Sequence, residues 1–340
     1  MIYLAVLSGS PKRTPDSLNT VDLSLYLSGR STPAHDRATA PAFVENAETV
    51  GVFYVRGWER VVPKALVESV FEYNKRFFDL PQGAQGFARV YEQQGESRVP
   101  CVRTRHRETF EIGNDCDPQY PEHWPKEEDL PGFKETINRF HLLCDVLHLP
   151  VMSLLALALN LPKDYFVPSI SSRSACLRLL HYPPTRRDRS NSRLGAHKDS
   201  ETITLLWHDE TGGLEVEGPD GGRVAVEPKA NIFVINMRVH SLHGGLLLLL
   251  SSSWSGDILS RWSNLKLKST VHRAVLLPPA TDDPLSGLTR TRRSVAYFCN
   301  PDPTAWIDCI PGLEGLDGPK YEPTLTGEYY AKALEAEIGV

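Results

Sequence analysis

A histidine and an aspartate stand two residues apart at His197 and Asp199, just ahead of the strand-like run TITLLW. In an extended chain, positions i and i+2 share a face, so the imidazole and the carboxylate converge while Lys198 points away. Two such side chains make two metal ligands. His272, in KSTVHRAV, lies on another strand-like run whose alternation puts Thr270, His272 and Ala274 on one side, and it can supply a third. Two histidines and one carboxylate leave three adjacent coordination positions open, which suits non-haem Fe(II) and oxygen chemistry. Zn(II) takes the same ligand set. A His-x-Asp pair has little weight by itself in a chain with 11 histidines, and His106-Arg107-Glu108 is a similar pair without supporting context.

A different chemistry belongs to Arg292-Arg293-Ser294, which opens the run RSVAYFC. Arg292 and Ser294 share a strand face and Arg293 takes the other. A guanidinium beside a hydroxyl can bind a carboxylate, with the arginine supplying two directed donors. The plainer alternative for Arg292 is a solvated surface charge.

The elements that must position these groups follow from periodicity. From Val61 to Phe78, apolar residues Val62, Leu66, Val70, Tyr73 and Phe77 recur at helical steps, and Asp79-Leu80-Pro81 ends the run. Pro131 opens a second helical region in which Phe133, Ile137, Phe140, Cys144 and Leu147 keep the same spacing, with a kink expected at Pro150. The first 40 or so residues, rich in Ser, Thr and Pro, read as loop around the short segment TVDLSLYLSG. After Tyr165 the texture changes to short runs rich in β-formers: ACLRLLHY, TITLLW, GLEVE, RVAVEP, NIFVIN, KSTVHRAVLL and RSVAYFC. Gly218-Pro219-Asp220-Gly221-Gly222 reads as a hairpin turn. Many short strands behind a helical layer predict an α+β, mainly β fold: a double-stranded β-helix, or jelly roll, with N-terminal helical support. The division expected is a helical and mixed region over 1–165 and the jelly roll over 166–340.

Composition narrows the partners. At 340 residues with 41% hydrophobic content, the chain can bury a substantial core, and a net charge of -5 with interspersed signs leaves no footprint for nucleic acid or an anionic membrane. The six cysteines, Cys101, Cys116, Cys144, Cys176, Cys299 and Cys309, include no C-x-x-C pair and read as reduced thiols of an intracellular protein. MIYLAVLSGSPKRT has neither the basic flank nor the length of a signal sequence. Asp145, His148 and Pro150 interrupt the apolar stretch 142–161, which favours a buried helix over a bilayer span. A cytoplasmic protein acting on a small molecule is the expectation.

Taken in order, His-x-Asp, the distal histidine and Arg-x-Ser resemble the iron- and 2-oxoglutarate-dependent dioxygenases of the isopenicillin N synthase-like type. ETVGVFYVRG, RETFEIG, LRLLHYPP, GGLEV, FCNP and PKYEPTLTGEYYAKAL resemble blocks of that family in the same order, so the likeness covers most of the chain. It implies that His197, Asp199 and His272 ligate Fe(II). It further implies that Arg292 and Ser294 hold the distal carboxylate of 2-oxoglutarate, with Tyr182 hydrogen-bonding that carboxylate. One departure is Leu180, where plant members often carry an asparagine near the cosubstrate's other end. The implied reaction spends O2 and 2-oxoglutarate, giving succinate and CO2, to hydroxylate or desaturate a small organic molecule. The overall texture is that of fungal members that tailor secondary metabolites.

INMRVHSLHGGLLLLLSSSWSGDILSRW does not fit that pattern. Five leucines, Leu246 to Leu250, follow two glycines and lead into three serines. Without Arg238 to Ser255 the chain reads NIFVINMGDILSRW, as the family does, and the Asp199-to-His272 separation falls from 73 to 55 residues. The piece is 18 residues, hence 54 nucleotides, and it reads as a retained intron; a long surface loop is the competing view. Two further functional alternatives stay open at this point. One is an oxidase that uses O2 without 2-oxoglutarate, as isopenicillin N synthase does; the other is an inactive metal-binding pseudoenzyme.

Overall fold

The computed structural model describes residues 18–85, 101–103, 107–113, 124–186, 192–197, 201–237, 258–267, 271–277 and 287–338. Asp199, His106, Thr270 and the stretch 238–255 lie outside the described residues.

The N-terminal part forms β1 (Thr20–Asp22), α1 (Ser24–Leu27), α2 (Pro33–Thr39), α3 (Pro41–Thr49), β2 (Val52–Arg56), α4 (Lys64–Asp79), β3 (Cys101–Arg103), β4 (Glu108–Ile112) and α5 (Phe133–Ala158). Strands then dominate: β5 (Cys176–Tyr182), β6 (Ser192–His197), β7 (Ile203–His208), β8 (Leu214–Glu217), β9 (Arg223–Val226) and β10 (Phe233–Met237). After α6 (Ile258–Trp262) come β11 (His272–Val275), β12 (Arg292–Cys299), the small pair β13 (Trp306–Ile307) and β14 (Thr324–Leu325), and α7 (Thr326–Ile338). The expected loop before residue 40 is partly helical. Pro33 and Pro41 stand at the first turns of α2 and α3, where a missing N–H costs nothing, and the Thr32 hydroxyl accepts from the His35 amide as an N-cap.

Two sheets make the jelly roll. The major sheet runs β1-β2-β10-β7-β12-β5-β4-β3 and the minor sheet β6-β11-β8-β9. Four strands of the major sheet come from the N-terminal part, so the helical region and the jelly roll share one sheet. The hairpin turn forms as expected, with the Gly218 amide donating to the Gly222 carbonyl at 2.8 Å.

Alternation gives each major strand two destinations. Leu177 and Leu179 of β5, Leu205 and Trp207 of β7, Phe233 and Ile235 of β10, and Val295 and Tyr297 of β12 join the core beneath the helices. Their neighbours one residue away, including Leu180, Tyr182, Ala296 and Phe298, face the minor sheet. The helices are held on the outer face by their stripes: Leu66, Val70 and Phe77 of α4, and Phe133, Ile137, Phe140, Cys144 and Leu147 of α5, are all buried. Phe77 stacks on Phe133 with centroids 5.1 Å apart and lies 4.8 Å from Phe110, tying α4, α5 and β4 together.

By length and composition α5 is apolar enough to cross a membrane, yet Asp145 and His141 within it have polar partners in the fold. The Tyr297 hydroxyl donates to the Asp145 carboxylate, and His141 Nδ1 lies 3.7 Å from the same carboxylate. Burial pushes His148 down to about 4, so it is neutral at physiological pH. Pro150 sits inside the helix; it costs about 3 kcal/mol in a helix interior. Each large buried apolar side chain contributes about 1.5–3 kcal/mol, so Phe133, Ile137, Phe140 and Leu147 together more than offset that cost.

Replacing Phe77 by alanine empties the centre of this cluster. The expected loss is about 3–5 kcal/mol of unfolding free energy, read as a lower urea midpoint at unchanged slope.

Candidate active site between the two sheets

The inner face of the major sheet is a grid of cross-strand rows. One row runs Arg292–Tyr182 and the next His208–Ser294–Leu180–Thr109. The third runs Leu206–Ala296–Arg178–Glu111, and the fourth Asn236–Thr204–Phe298–Cys176. One end of the floor is therefore rich in arginine, hydroxyl and imidazole; Leu180, Ala296 and Leu206 make an apolar patch beside it, and Arg178, Glu111, Thr204 and Asn236 make the rest polar again.

The minor sheet brings the two histidines together. His197 closes β6, a strand the sequence did not announce, and it pairs directly with His272 of β11. Their ring centroids are 4.2 Å apart at 53°. His197 Nδ1 lies 2.9 Å from the Gly195 carbonyl. A carbonyl only accepts, so Nδ1 carries the proton and Nε2 keeps the lone pair a metal needs. Ala274, two residues along β11 from His272, packs against Leu180 and Ala296 of the major sheet, so this face of β11 looks into the space between the sheets. Two imidazoles with one tautomer fixed this way fit a divalent metal that accepts nitrogen ligands. Asp199, the third member of the expected set, lies outside the described residues.

At the other end, Arg292 is 3% exposed. Its Nε donates to the Gly212 carbonyl at 2.8 Å, its Nη1 to Ser294 Oγ at 3.0 Å, and its guanidinium lies 5.0 Å from the centroid of Tyr182. The Gly-Gly of GGLEV is required here by geometry. Gly212 and Gly213 have φ of 76° and 85°, and a Cβ on Gly213 would stand 3.0 Å from the Val275 carbonyl. No protein group accepts from or donates to the Tyr182 hydroxyl among the described residues.

Sequence reasoning missed a second guanidinium. Arg193, four residues before His197, is buried, donates to the Tyr182 carbonyl at 2.8 Å and Thr289 Oγ1 at 2.9 Å, and also reaches the Arg290 carbonyl. Burial and the charge of Arg292 push it down to about 10. His208, across from Ser294, is pushed down to about 4 by burial and by Arg292, and is neutral. Neither guanidinium has a carboxylate within ion-pair distance among the described residues. Two buried, unneutralised cations with a hydroxyl beside them fit an anionic group such as a carboxylate. The sequence held one usable signal: Thr204, Leu206 and His208 alternate onto one face, so extending TITLLW by one residue finds His208.

Comparison with known proteins agrees with this geometry. Residues 173–301 match the model of the 2OG-Fe(II) oxygenase superfamily. A 2-oxoglutarate-dependent dioxygenase of Aspergillus rugulosus, htyE, is 32% identical over 87% of this chain and 91% of its own length. A protein of Petromyces alliaceus named proline hydroxylase, buaE, is 29% identical over 79% of this chain and 84% of its own. A full-length Neurospora crassa protein, solved in complex with alpha-KG, superposes with a TM-score of 0.77 at 32% identity, covering 93% of this chain and 95% of that one; it has also been solved with alpha-KG and thymine. With a shared fold and sequence likeness across most of both chains, this protein belongs to the Fe(II)- and 2-oxoglutarate-dependent oxygenases, enzymes whose oxidant is O2.

Proposed function

We propose that His197, Asp199 and His272 ligate the Fe(II), and that Arg292, Ser294 and Tyr182 hold the distal carboxylate of 2-oxoglutarate with Arg193 as a second cation. We propose also that the enzyme hydroxylates or desaturates a small metabolite in fungal secondary metabolism, in the cytoplasm. The observation that carries the assignment is the pair of guanidiniums around Tyr182, without a carboxylate partner among the described residues, in a space whose minor-sheet wall presents two paired imidazoles.

When bound, Fe(II) would activate O2, the oxidant: 2-oxoglutarate would give up two electrons and leave as succinate and CO2, and the substrate C–H would give up the other two. The chain's own residues do the rest. Gly195 fixes the tautomer of His197. Gly212 and Ser294 fix the rotamer of Arg292, so its remaining donors face the ligand already oriented. Leu180, Ala296 and Leu206 form an apolar patch on the floor. That surface excludes water beside the reacting centre. Leu180 brings no polar contact to the keto-acid end, so metal chelation orients that end.

The relatives offer two kinds of substrate, a pyrimidine as in the thymine complex of the Neurospora crassa protein and an amino acid as in the name of the proline hydroxylase. Both are small molecules, and the plainer proposal here is a compound of that size.

An anaerobic titration with Fe(II) and 2-oxoglutarate should give the visible iron-to-keto-acid absorption. His272→Ala should abolish it. Arg292→Leu should demand about 100-fold more 2-oxoglutarate, the equivalent of about 3 kcal/mol for a charged hydrogen-bonded contact. An unchanged midpoint would remove Arg292 from the cosubstrate site.

Affinity for 2-oxoglutarate should be level from pH 6 to 9, because His208, near 4, is already neutral and Arg193, near 10, is still charged. A cation favours anion binding only while protonated, so affinity should fall as pH rises through about 10. Equilibrium dialysis across that range reads it. A decline already complete by pH 8 would contradict the role given to Arg193.

We propose finally that the stretch 238–255 is a translated intron. Protein lacking it should fold and give the same absorption. Mature transcripts that all retain the 54 nucleotides would end that idea.

A further inference from the structure

Beyond the cosubstrate end the same strands carry a second arginine. Arg178 lies on the inner face of β5, four residues from Tyr182, between Ala296 of β12 and Glu111 of β4. At about 3.3 Å per residue the two positions are about 13 Å apart along the strand. The four C–C bonds of 2-oxoglutarate, each about 1.5 Å, span no more than about 6 Å. A cosubstrate anchored at Arg292 therefore stops short of Arg178.

The two arginine sites differ in charge balance. Arg178 Nε and Nη2 donate to Glu111 Oε2 at 2.6 and 2.5 Å, and Cys176 Sγ donates to Glu111 Oε1 at 2.9 Å. Both oxygens of Glu111 are thus occupied. The Arg178 guanidinium lies 4.8 Å over the ring of Phe298, and the field of Glu201 also acts on it. Its Nη1 has no protein acceptor among the described residues. The side chain keeps 31% of its exposure. One cation paired through two donors with the Glu111 carboxylate has no positive charge to spare, so a second carboxylate brought to it would gain no net attraction. A neutral carbonyl oxygen meets only the directed donors. Thr204 and Asn236, on the row of Phe298, add neutral polar groups rather than charge.

We propose that Arg178, held over Phe298 by Glu111 and Cys176, selects the substrate, and that this substrate is a small neutral carbonyl compound of the lactam or imide class rather than a free carboxylic or amino acid. Glu111 is the positioning residue and also the source of the discrimination, because it cancels the charge that would attract a carboxylate. The proposal rests on placing 2-oxoglutarate at Arg292.

The test is calorimetric titration of the anaerobic protein, loaded with Fe(II) and 2-oxoglutarate, with uracil and glutarimide, and with pipecolate and cyclohexanecarboxylate. The imides should bind at least tenfold more tightly than the carboxylates. Arg178→Met should weaken imide binding at least tenfold. Glu111→Gln keeps the shape and removes the counter-charge, so it should narrow or reverse the preference between the classes, a change that a merely structural role would not produce. Carboxylates binding as tightly as imides, no binding of either imide, or imide affinity unmoved by Arg178→Met would overturn the proposal. Should Arg178→Met not fold, Arg178→Gln and Glu111→Gln decide by the same criteria. Visible absorption of the same samples separates the two levels: its absence means that the cosubstrate placement has failed, whereas its presence with the wrong selectivity means that only the role of Arg178 has.

Discussion

Both faces of the major sheet are occupied, and the site depends on that. Every second residue of β12 goes under the helices and the others go to the space between the sheets, so a slip of one residue would exchange Arg292 for Arg293 and Ser294 for Val295. What prevents the slip lies on the far side. Tyr297 is locked by Asp145 of α5, and Val295 and Cys299 are fully buried in the helix-backed core. Asn74 of α4 reaches the carbonyls of Leu180 and Ser294 from behind. The helical layer is thus the element that keeps the functional face in register.

That face carries an electrostatic cost which its chemistry explains. Two guanidiniums that share the ring of Tyr182 repel one another, and burial disfavours the charge of Arg193. The folded protein bears this because backbone carbonyls of Tyr182, Arg290 and Gly212 take up part of the donor capacity. On the proposed placement, an arriving carboxylate would relieve the rest, which would link cosubstrate binding to stability.

The sequence made some of this visible because the information is local. Strand alternation, the helical stripes of α4 and α5, and the i, i+2 pair of Arg292 and Ser294 are all contained within a few residues. Cross-strand facts are not. Glu111 meets Arg178 across 67 residues of chain and His181 meets Glu108 across 73, and no spacing rule connects either pair. Arg193 was hidden for a related reason: β6 holds Ser, Arg and two small residues, a composition without strand propensity, and it forms only because β11 pairs with it. The helices before residue 50 were obscured by prolines that mark loops in general but fit a first helical turn.

A jelly roll of this kind solves a spacing problem with its backbone. Cosubstrate and substrate must meet at one metal without exchanging places, and side chains on flexible loops would set their separation poorly. Here Tyr182 and Arg178 are two positions on one face of one strand, with Leu180 between them, so the strand's own rise fixes their distance. The charge balance at each position then makes the two ends chemically unequal: two guanidiniums without a carboxylate partner among the described residues at one, a carboxylate-paired guanidinium at the other. On the proposed placements, distance would be held by the sheet and identity by the counter-charges, so that a change at Glu111 or Arg178 would alter what is oxidised without moving where 2-oxoglutarate sits.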